Sequence, residues 1–305
     1  MQIPAKQTSQ PRSSRVSAKR DLLFVLGLTL PGLLWFLVFN AYPAVYSFWI
    51  SFHHWNIRGP SQWIGLQNYA RVFGDPVILI ALRNTLIYAL ITVVGQMAAG
   101  LGLALLVNQK IRFAGFFRLV YYFPVIASWV VVSLIFSFLF HSEGLINYLF
   151  SDLLHLYPAH RAWLNDTTTA LIAISILGIW KGAGWTMLVY LAALQSVPAE
   201  LEEAARVDGA NPWNVRRFVT IPLLRPATSF IAIMLTIGAF QSFIQFYIMT
   251  KGGPNHQTEV FLSYMYNQAF TFLDFGYGSA IAFVLAALIV SISAIQLRYF
   301  RGNQV

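Results

Sequence analysis

The 305-residue sequence contains no cysteine, and only 10% of its residues are charged. A soluble domain carries roughly 25% charged residues, so a water-exposed globule of this length would lack the groups that cover its surface. The absence of cysteine excludes a thiol nucleophile and a cysteine-ligated metal. The sequence is instead 57% hydrophobic, with a mean hydropathy of +0.62. These values indicate a polytopic membrane protein and argue against a soluble enzyme, a disordered chain and a disulfide scaffold.

Six charge-poor stretches are long enough to cross a bilayer, which takes about 20 apolar residues per helix. Five of them contain no charged residue, and the fourth contains only Lys181. Their continuous apolar character differs from β-barrel strands, which alternate in polarity. We therefore predict an all-α fold with six transmembrane helices at residues 22–40 (extending as far as 52), 84–107, 119–140, 170–194, 227–250 and 275–297.

Basic residues are distributed unevenly around these stretches. If the N-terminus is cytoplasmic, 14 of the 20 Lys and Arg residues face the cytoplasm and five face outward, with Lys181 inside a span. The positive-inside rule then predicts that both termini are cytoplasmic. Residues 1–20 form a basic N-terminal segment, and residues 21–305 form the transmembrane domain. The same distribution accounts for the net charge of +9 without a nucleic-acid partner.

The predicted cytoplasmic stretch 196–226 has the pattern of two short helices joined by a glycine. Pro198 begins the first helix, and Gly209 stands where a left-handed residue ends one. Asn211, followed by a proline, is the N-cap of the second helix, which Pro222 ends. A small face of two alanines on the first helix is surrounded by charged residues. This face fits either against the bundle or into a groove of another protein.

The same loop carries a motif. Glu203-Ala204-Ala205, then Gly209 and Val219-Thr220-Ile221-Pro222, resembles the EAA loop of binding-protein-dependent ABC transporter permeases. Further segments are similar to the carbohydrate-uptake branch of that family, which includes maltose-type and glycerol-phosphate-type permeases. These segments are Trp63-Ile64-Gly65-Leu66-Gln67-Asn68-Tyr69, Asn84-Thr85, Pro124, Gly144-Leu145-Ile146-Asn147, Leu194-Gln195-Ser196-Val197-Pro198 and Lys251-Gly252-Gly253-Pro254.

The resemblance implies a type I ABC importer permease fold in the cytoplasmic (inner) membrane of a prokaryote, surrounded by lipid. Such a chain is a transport subunit and not an enzyme. It works with a second, homologous permease, with an ABC ATPase dimer and with an extracytoplasmic solute-binding protein that delivers a carbohydrate. The sequence has no G-x-x-x-x-G-K-[ST] phosphate loop. ATP and Mg are therefore expected on the partner ATPase, and no cofactor is expected on this chain.

We predict three groups of site residues and no catalytic or metal-binding residue. The resemblance implies contact with the ATPase at Glu203, Ala204, Ala205, Asp208, Gly209 and Pro222. Alignment with the maltose-type permease implies a substrate path at Gly178, Lys181, Gly182, Trp185 and Ser242, to which Gln241 is added because its amide can bind sugar hydroxyls. Because glycines allow close backbone approach, the turn Gly252-Gly253-Pro254 is a predicted docking point for the binding protein.

Two alternatives stay open at this point. A lysine within a span faces a cavity or a partner, so Lys181 contacts either the substrate or the second permease. The alternative function is secondary, ion-coupled transport, which calls for ionisable residues at mid-membrane and for internal repeats. Lys181 alone supports it, and the two halves of the sequence show no repeat. An intramembrane enzyme lacks support, because no G-x-S-x-G or H-E-x-x-H motif is present.

Overall fold

The computed structural model describes residues 15–55, 61–109 and 112–302, with side chains described from residue 24 to residue 300 of these ranges. The chain divides into two compact units, Met1–Ile50 and Ser51–Val305.

The first unit is helical over its described residues. Helix α1 (Arg15–Phe36) leads through a π turn (Leu37–Ala41) into α2 (Tyr42–Ile50). From Phe24 onward this segment is apolar and long enough to cross a membrane. Large side chains such as Phe24 and Trp35 are exposed on it. An exposed apolar surface of this kind is what contact with lipid requires.

Over its described residues, the second unit contains helices of very different lengths and one short pair of antiparallel strands. The strands are β1 (His53–His54) and β2 (Gln62–Trp63). The helices are α3 (Gln67–Gly74), α4 (Pro76–Val107), α5 (Ala114–Ile126), α6 (Trp129–Leu139), α7 (Leu145–Asn147), α8 (Thr167–Gln195), α9 (Ala199–Val207), α10 (Pro212–Val215), α11 (Ile221–Leu223), α12 (Arg225–Phe240), α13 (Ile244–Met249), α14 (Phe261–Tyr266) and α15 (Phe275–Gly302). Further π turns lie at Tyr148–Leu153, Arg216–Thr220 and Asn267–Thr271.

Four helical segments among the described residues are long and apolar enough to span a membrane: Phe24–Ile50, α4, α8 and α15. Two further candidate spans are bent. Helices α5 and α6 meet at 93°, and the α10–α11 segment meets α12 at 63°. Counting each bent pair as one span gives up to six. The number six and the cytoplasmic termini thus remain predictions, while the helical, multi-span architecture is confirmed.

The structure shows two interruptions that were not predicted. The apolar run 119–140 is broken where α5 ends at Ile126, two residues after Pro124, and Ala127 and Ser128 are extended. Proline removes a helical N–H and crowds the preceding turn, which favours a break near its position. The predicted span 227–250 is broken between Phe240 and Ile244.

Helices α4 and α8 pack against each other along much of their length, and glycines on both helices make this contact possible. A Cβ atom at Gly95 or Gly100 of α4 would collide with α8, and a Cβ atom at Gly178 or Gly182 of α8 would collide with α4. Small residues let helix backbones approach closely in a membrane, where van der Waals packing stabilises the pair.

Candidate functional site

The loop between α8 and α12 contains a short helix with defined ends. Pro198 is the N-cap of α9, acidic residues occupy its first turn, and Arg206 lies in its last, as the helix dipole favours. Gly209 has φ = +88°. Its N–H donates to the Arg206 carbonyl at 3.0 Å, and the N–H of Ala210 donates to the Ala205 carbonyl at 2.9 Å. This pair of bonds is a Schellman motif, which closes the helix and uses the left-handed glycine.

The next helix is capped as the sequence predicts. The Asn211 side chain accepts a hydrogen bond of 2.8 Å from the N–H of Asn214, and a proline follows as the first helical residue. Pro222, however, does not end this helix, which continues through a π turn to Leu223. The reason is its position at the start of α11, where a missing N–H interrupts little of the hydrogen bonding.

Helix α9 is tied to the following segment by one polar contact. The hydroxyl of Thr220, which is buried, donates to Oε1 of Glu202 at 2.8 Å. Oε2 of Glu202 also lies 3.7 Å from the Arg206 guanidinium. The contact links α9 to the π turn that precedes α12.

The predicted coupling residues fall into an exposed and a covered set. Glu203, Ala204, Asp208 and Gly209 are exposed, whereas Ala205 and Pro222 are half-buried. Three large apolar side chains that were not predicted are exposed beside them. These are Val207 (88% exposed), Trp213 (66%) and Phe218 (66%). An apolar surface surrounded by polar residues is typical of a contact with another protein.

A second feature of the unit is a cavity of about 270 Å³ at the interruption between α12 and α13. Both predicted path residues of this region, Gln241 and Ser242, line it. Trp129, the first residue of α6, and Gln245 line it as well and were not predicted. The available signal was Pro124, which precedes the α5–α6 break that brings Trp129 to this place.

Lys181 belongs to α8, and its side chain reaches the C-terminal end of α5. Its ammonium group donates hydrogen bonds to the carbonyls of Pro124 (2.9 Å), Val125 (3.1 Å) and Ala127 (2.6 Å). Only 4% of the residue is exposed. The three carbonyls belong to a helix C-terminus, whose orphan acceptors and negative dipole end favour a cation. The side chain thus meets acceptors of its own chain, which the sequence did not predict.

The other predicted path residues lie in helix contacts. Gly178 and Gly182 are part of the seam between α4 and α8. Trp185 packs against a second apolar cluster, with its ring centroid 6.3 Å from that of Phe230. These three are not among the residues that line the cavity, so their contact with a substrate stays a prediction.

The predicted docking turn is held in place by contacts with residues of the same chain. Gly252 is buried with φ = +78°, and a Cβ atom there would collide with the carboxylate of Glu259. Gly253 is half-buried and Pro254 is exposed. The amide of Asn84 on α4 donates to the carbonyls of Gln257 (2.8 Å) and Glu259 (2.9 Å). Only part of the turn is therefore available to a partner.

The same end of the unit holds a polar network around Asp75, the N-cap of α4. One carboxylate oxygen accepts hydrogen bonds from the hydroxyls of Tyr264 (2.7 Å) and Tyr277 (2.6 Å). Burial raises the pKa of Asp75, but the bonds from Tyr277, Tyr264 and the backbone outweigh burial, and its pKa lies below its ordinary value. Burial and the Asp75 carboxylate raise the pKa of Tyr264.

Comparison with known families identifies the chain's class. A family model described as "Binding-protein-dependent transport system inner membrane component" matches residues 93–302. This range is more than half of the chain, and the chain belongs to that family. Its members are membrane components of transport systems, not enzymes. The resemblance drawn from the EAA loop is thereby confirmed.

Two relatives match over almost their whole length. The probable ABC transporter permease protein YurN of Bacillus subtilis is 37% identical over 274 residues, which cover 88% of this chain and 93% of YurN. The sulfoquinovosyl glycerol transport system permease protein SmoG of Agrobacterium fabrum is 36% identical over 297 residues, covering 95% of this chain and 94% of SmoG.

A solved structure has the same fold. It is a bacterial alginate ABC transporter in complex with an alginate pentasaccharide-bound periplasmic protein. One of its chains aligns with a TM-score of 0.78 at 23% identity, covering 92% of this chain and 94% of the other. The predicted ABC importer permease fold is confirmed at this level.

Proposed function

We propose that this chain is one of two homologous permease subunits of an ATP-driven importer for a sugar or sugar derivative, which an extracytoplasmic solute-binding protein delivers. An ABC ATPase dimer binds the exposed surface of α9. When that dimer closes on ATP, α9 moves and the bent spans open the path outward. For this to happen, ATP has to bind the outward-open state more tightly, because a ligand with equal affinity for two states shifts neither.

The construction of α9 is the observation that carries this proposal. The helix begins after Pro198, is closed at its C-terminal end by the Schellman motif, exposes Val207 and Ala204 of the EAA motif, and is bonded through Glu202 to Thr220. A short helix held in this way moves as a unit. Its bond to the segment before α12 gives the ATPase a mechanical connection to the membrane.

The sugar class is supported by two observations of different kinds. SmoG is named for sulfoquinovosyl glycerol and the structural neighbour for alginate, and both substrates contain sugar units. In this chain, Gln241, Ser242 and Gln245 bring uncharged hydrogen-bonding groups to the cavity. Neutral amides and hydroxyls are suited to the hydroxyls of a carbohydrate.

Delivery by a soluble binding protein is supported by the structural neighbour, which was solved with a sugar-bound periplasmic protein. On this chain, the exposed part of the turn after α13, including Lys251 and Pro254, is the proposed contact. Asn84 holds the turn in place for that contact.

The experiment is isolation of the tagged chain from its native host in mild detergent, followed by reconstitution. We expect a second six-span chain, an ATPase and a solute-binding protein to co-purify. The reconstituted complex accumulates a ¹⁴C-labelled sugar from a panel of lactose, maltose and raffinose only with ATP inside, and orthovanadate abolishes uptake. Vesicles that lack the ATPase are the matched control. Uptake driven by an ion gradient in those control vesicles would contradict the proposal.

A further inference from the structure

Two interrupted helices meet at the cavity, and this juxtaposition rests on neither the family nor the relatives. The break between α5 and α6 places Trp129 in the cavity wall, and the break between α12 and α13 places Gln241, Ser242 and Gln245 there. Irregular backbone at membrane depth is tolerated where it is buried in protein or lines a cavity. Broken helices also build the substrate sites of many transporters.

The wall of the cavity combines one large aromatic face with small neutral polar groups. Trp129 is half-buried, so part of its ring is accessible. Gln245 donates through Nε2 to the Tyr88 hydroxyl at 3.0 Å, which fixes its amide and directs the carbonyl oxygen elsewhere. The described residues that line the cavity are uncharged. A neutral sugar ring has the matching features, since its apolar C–H face stacks on the electron-rich face of an indole and its hydroxyls bind amides.

Lys181 contacts Trp129, one of the residues that line the cavity, but does not line the cavity itself. Its ammonium nitrogen lies 4.9 Å from the centroid of the Trp129 ring, within the range of a cation–π contact. All three of its N–H groups are used by the carbonyls at the end of α5. No donor is left for a ligand. Lys181 therefore holds two groups in place: the last turn of α5, and the ring of Trp129 after the break.

We propose that Trp129 is the residue on which a neutral sugar ring stacks in this cavity, and that Lys181 is a positioning residue that acts through Trp129. The assignment rests on the proposed sugar transport and gives it a specific aromatic contact. It differs from the sequence-based prediction, in which Trp185 was the aromatic residue of the substrate path and Trp129 was not included.

The test uses the complete complex in proteoliposomes, with its binding protein and with ¹⁴C-labelled lactose, maltose and raffinose as probes. For the probe that the unaltered complex accumulates, W129A raises KM about tenfold and changes the maximal rate less, while W129Y stays within about threefold. K181M also raises KM, because the ring loses its support. W180F is the matched control: it changes an aromatic residue of α8 outside the cavity wall and leaves KM unchanged.

A double variant separates positioning from a general structural role. If Lys181 acts through Trp129, K181M adds little to the KM of W129A, and the two effects are strongly non-additive. A second readout needs no sugar. Because the chain has no cysteine, S128C introduces a single thiol at the break, and K181M increases its rate of modification by a maleimide severalfold. S175A, which alters a buried hydroxyl of α8 without a hydrogen-bond partner in the described part of the chain, leaves that rate unchanged.

Unchanged KM in W129A would overturn the stacking role, as would a tenfold effect found in W185A instead. Additive effects in the double variant, or an unchanged thiol reactivity in K181M, would overturn the positioning role. Failure of the unaltered complex to accumulate any of the three sugars would instead contradict the proposed function. In that case, the rate at which the maleimide modifies S128C, with and without K181M, alone decides whether Lys181 is a positioning residue.

Discussion

Asn68, Asn84 and Asn147 lie in segments that resemble the permease family, and all three hold a loop in place. Asn68 donates to the carbonyls of Ser51 and His53. Asn147 binds the backbone on both sides of its own loop and accepts from the indole N–H of Trp163 at 2.9 Å. A buried amide satisfies several backbone groups at once, and its loss leaves them without partners. These residues position loops and are not expected to touch the substrate.

Removal of the Asn84 amide has a local, measurable effect. In N84A the carbonyls of Gln257 and Glu259 lose their donor, which costs about 1–3 kcal/mol. We expect the amides of residues 257–259 to exchange hydrogen about tenfold faster or more, and binding-protein stimulation of the ATPase to weaken. Hydrogen-exchange mass spectrometry of the complex measures the first effect. N108A, an exposed change at the other end of α4, is the control, and equal exchange in both variants would refute this role.

Asp75 gives a pH-dependent contribution with a defined sign. Since its folded pKa lies below its ordinary value of about 4, its stabilisation is complete above that value and is lost as pH falls through the folded pKa. D75N is expected to be less stable by about 1–2 kcal/mol at pH 7, with the difference shrinking in acid. Thermal unfolding in detergent between pH 3 and 7 measures it.

The control for this prediction is D152N, which alters an exposed carboxylate paired with His160. Exposed ion pairs contribute about 0–1 kcal/mol to stability. At pH 7, D152N should therefore have nearly the same unfolding temperature as the unaltered protein. A deficit in D75N that stays constant from pH 7 to pH 3 would contradict the account.

At the scale of the helical element, Gly209 is the residue on which the ending of α9 depends. G209A forces a side chain into a left-handed conformation, which costs about 1–2 kcal/mol, and loosens the last turn of the helix. We expect unchanged membrane levels, lower uptake, and ATP hydrolysis that no longer follows binding-protein delivery. G102A is the control, because a Cβ atom there would occupy open space in α4. Normal uptake by G209A would exclude a coupling role for this turn.

The helices themselves were predictable to different degrees. The apolar runs around α4, α8 and α15 correspond to continuous helices, because a helix that crosses a bilayer needs a continuous run of apolar residues. The bends were not predictable, because hydropathy is the same for a straight and a broken helix. The acceptors of Lys181 lie more than 50 residues away in sequence, so its partner could not be read from its neighbours. The face of each glycine was equally hidden, so the sequence did not predict that Gly178 and Gly182 contact α4.

At the scale of the whole molecule, the predicted orientation is testable with single cysteines. V207C on α9 is expected to react with a membrane-impermeant maleimide only from the cytoplasmic side, and Q257C only from outside. Both side chains are exposed, and the chain has no other cysteine. Right-side-out and inverted vesicles distinguish the two cases. Labelling of V207C from outside would show that the topology is the reverse of the predicted one. Helix α9 could then not be the contact with the ATPase.

The glycine seam between α4 and α8 has a consequence for how far the sequence can vary. A Cβ atom at Gly95, Gly100, Gly178 or Gly182 would collide with a side chain of the opposite helix, and at Gly100 it would also lie 3.0 Å from the backbone nitrogen of Met187. In a library that samples every amino acid at these four positions, survivors should retain glycine most strictly at Gly100, whereas exposed positions such as Leu90 accept many apolar residues. We therefore expect α4 and α8 to move together, and we expect the helices that are already bent to account for the changes of shape that the proposed transport cycle requires.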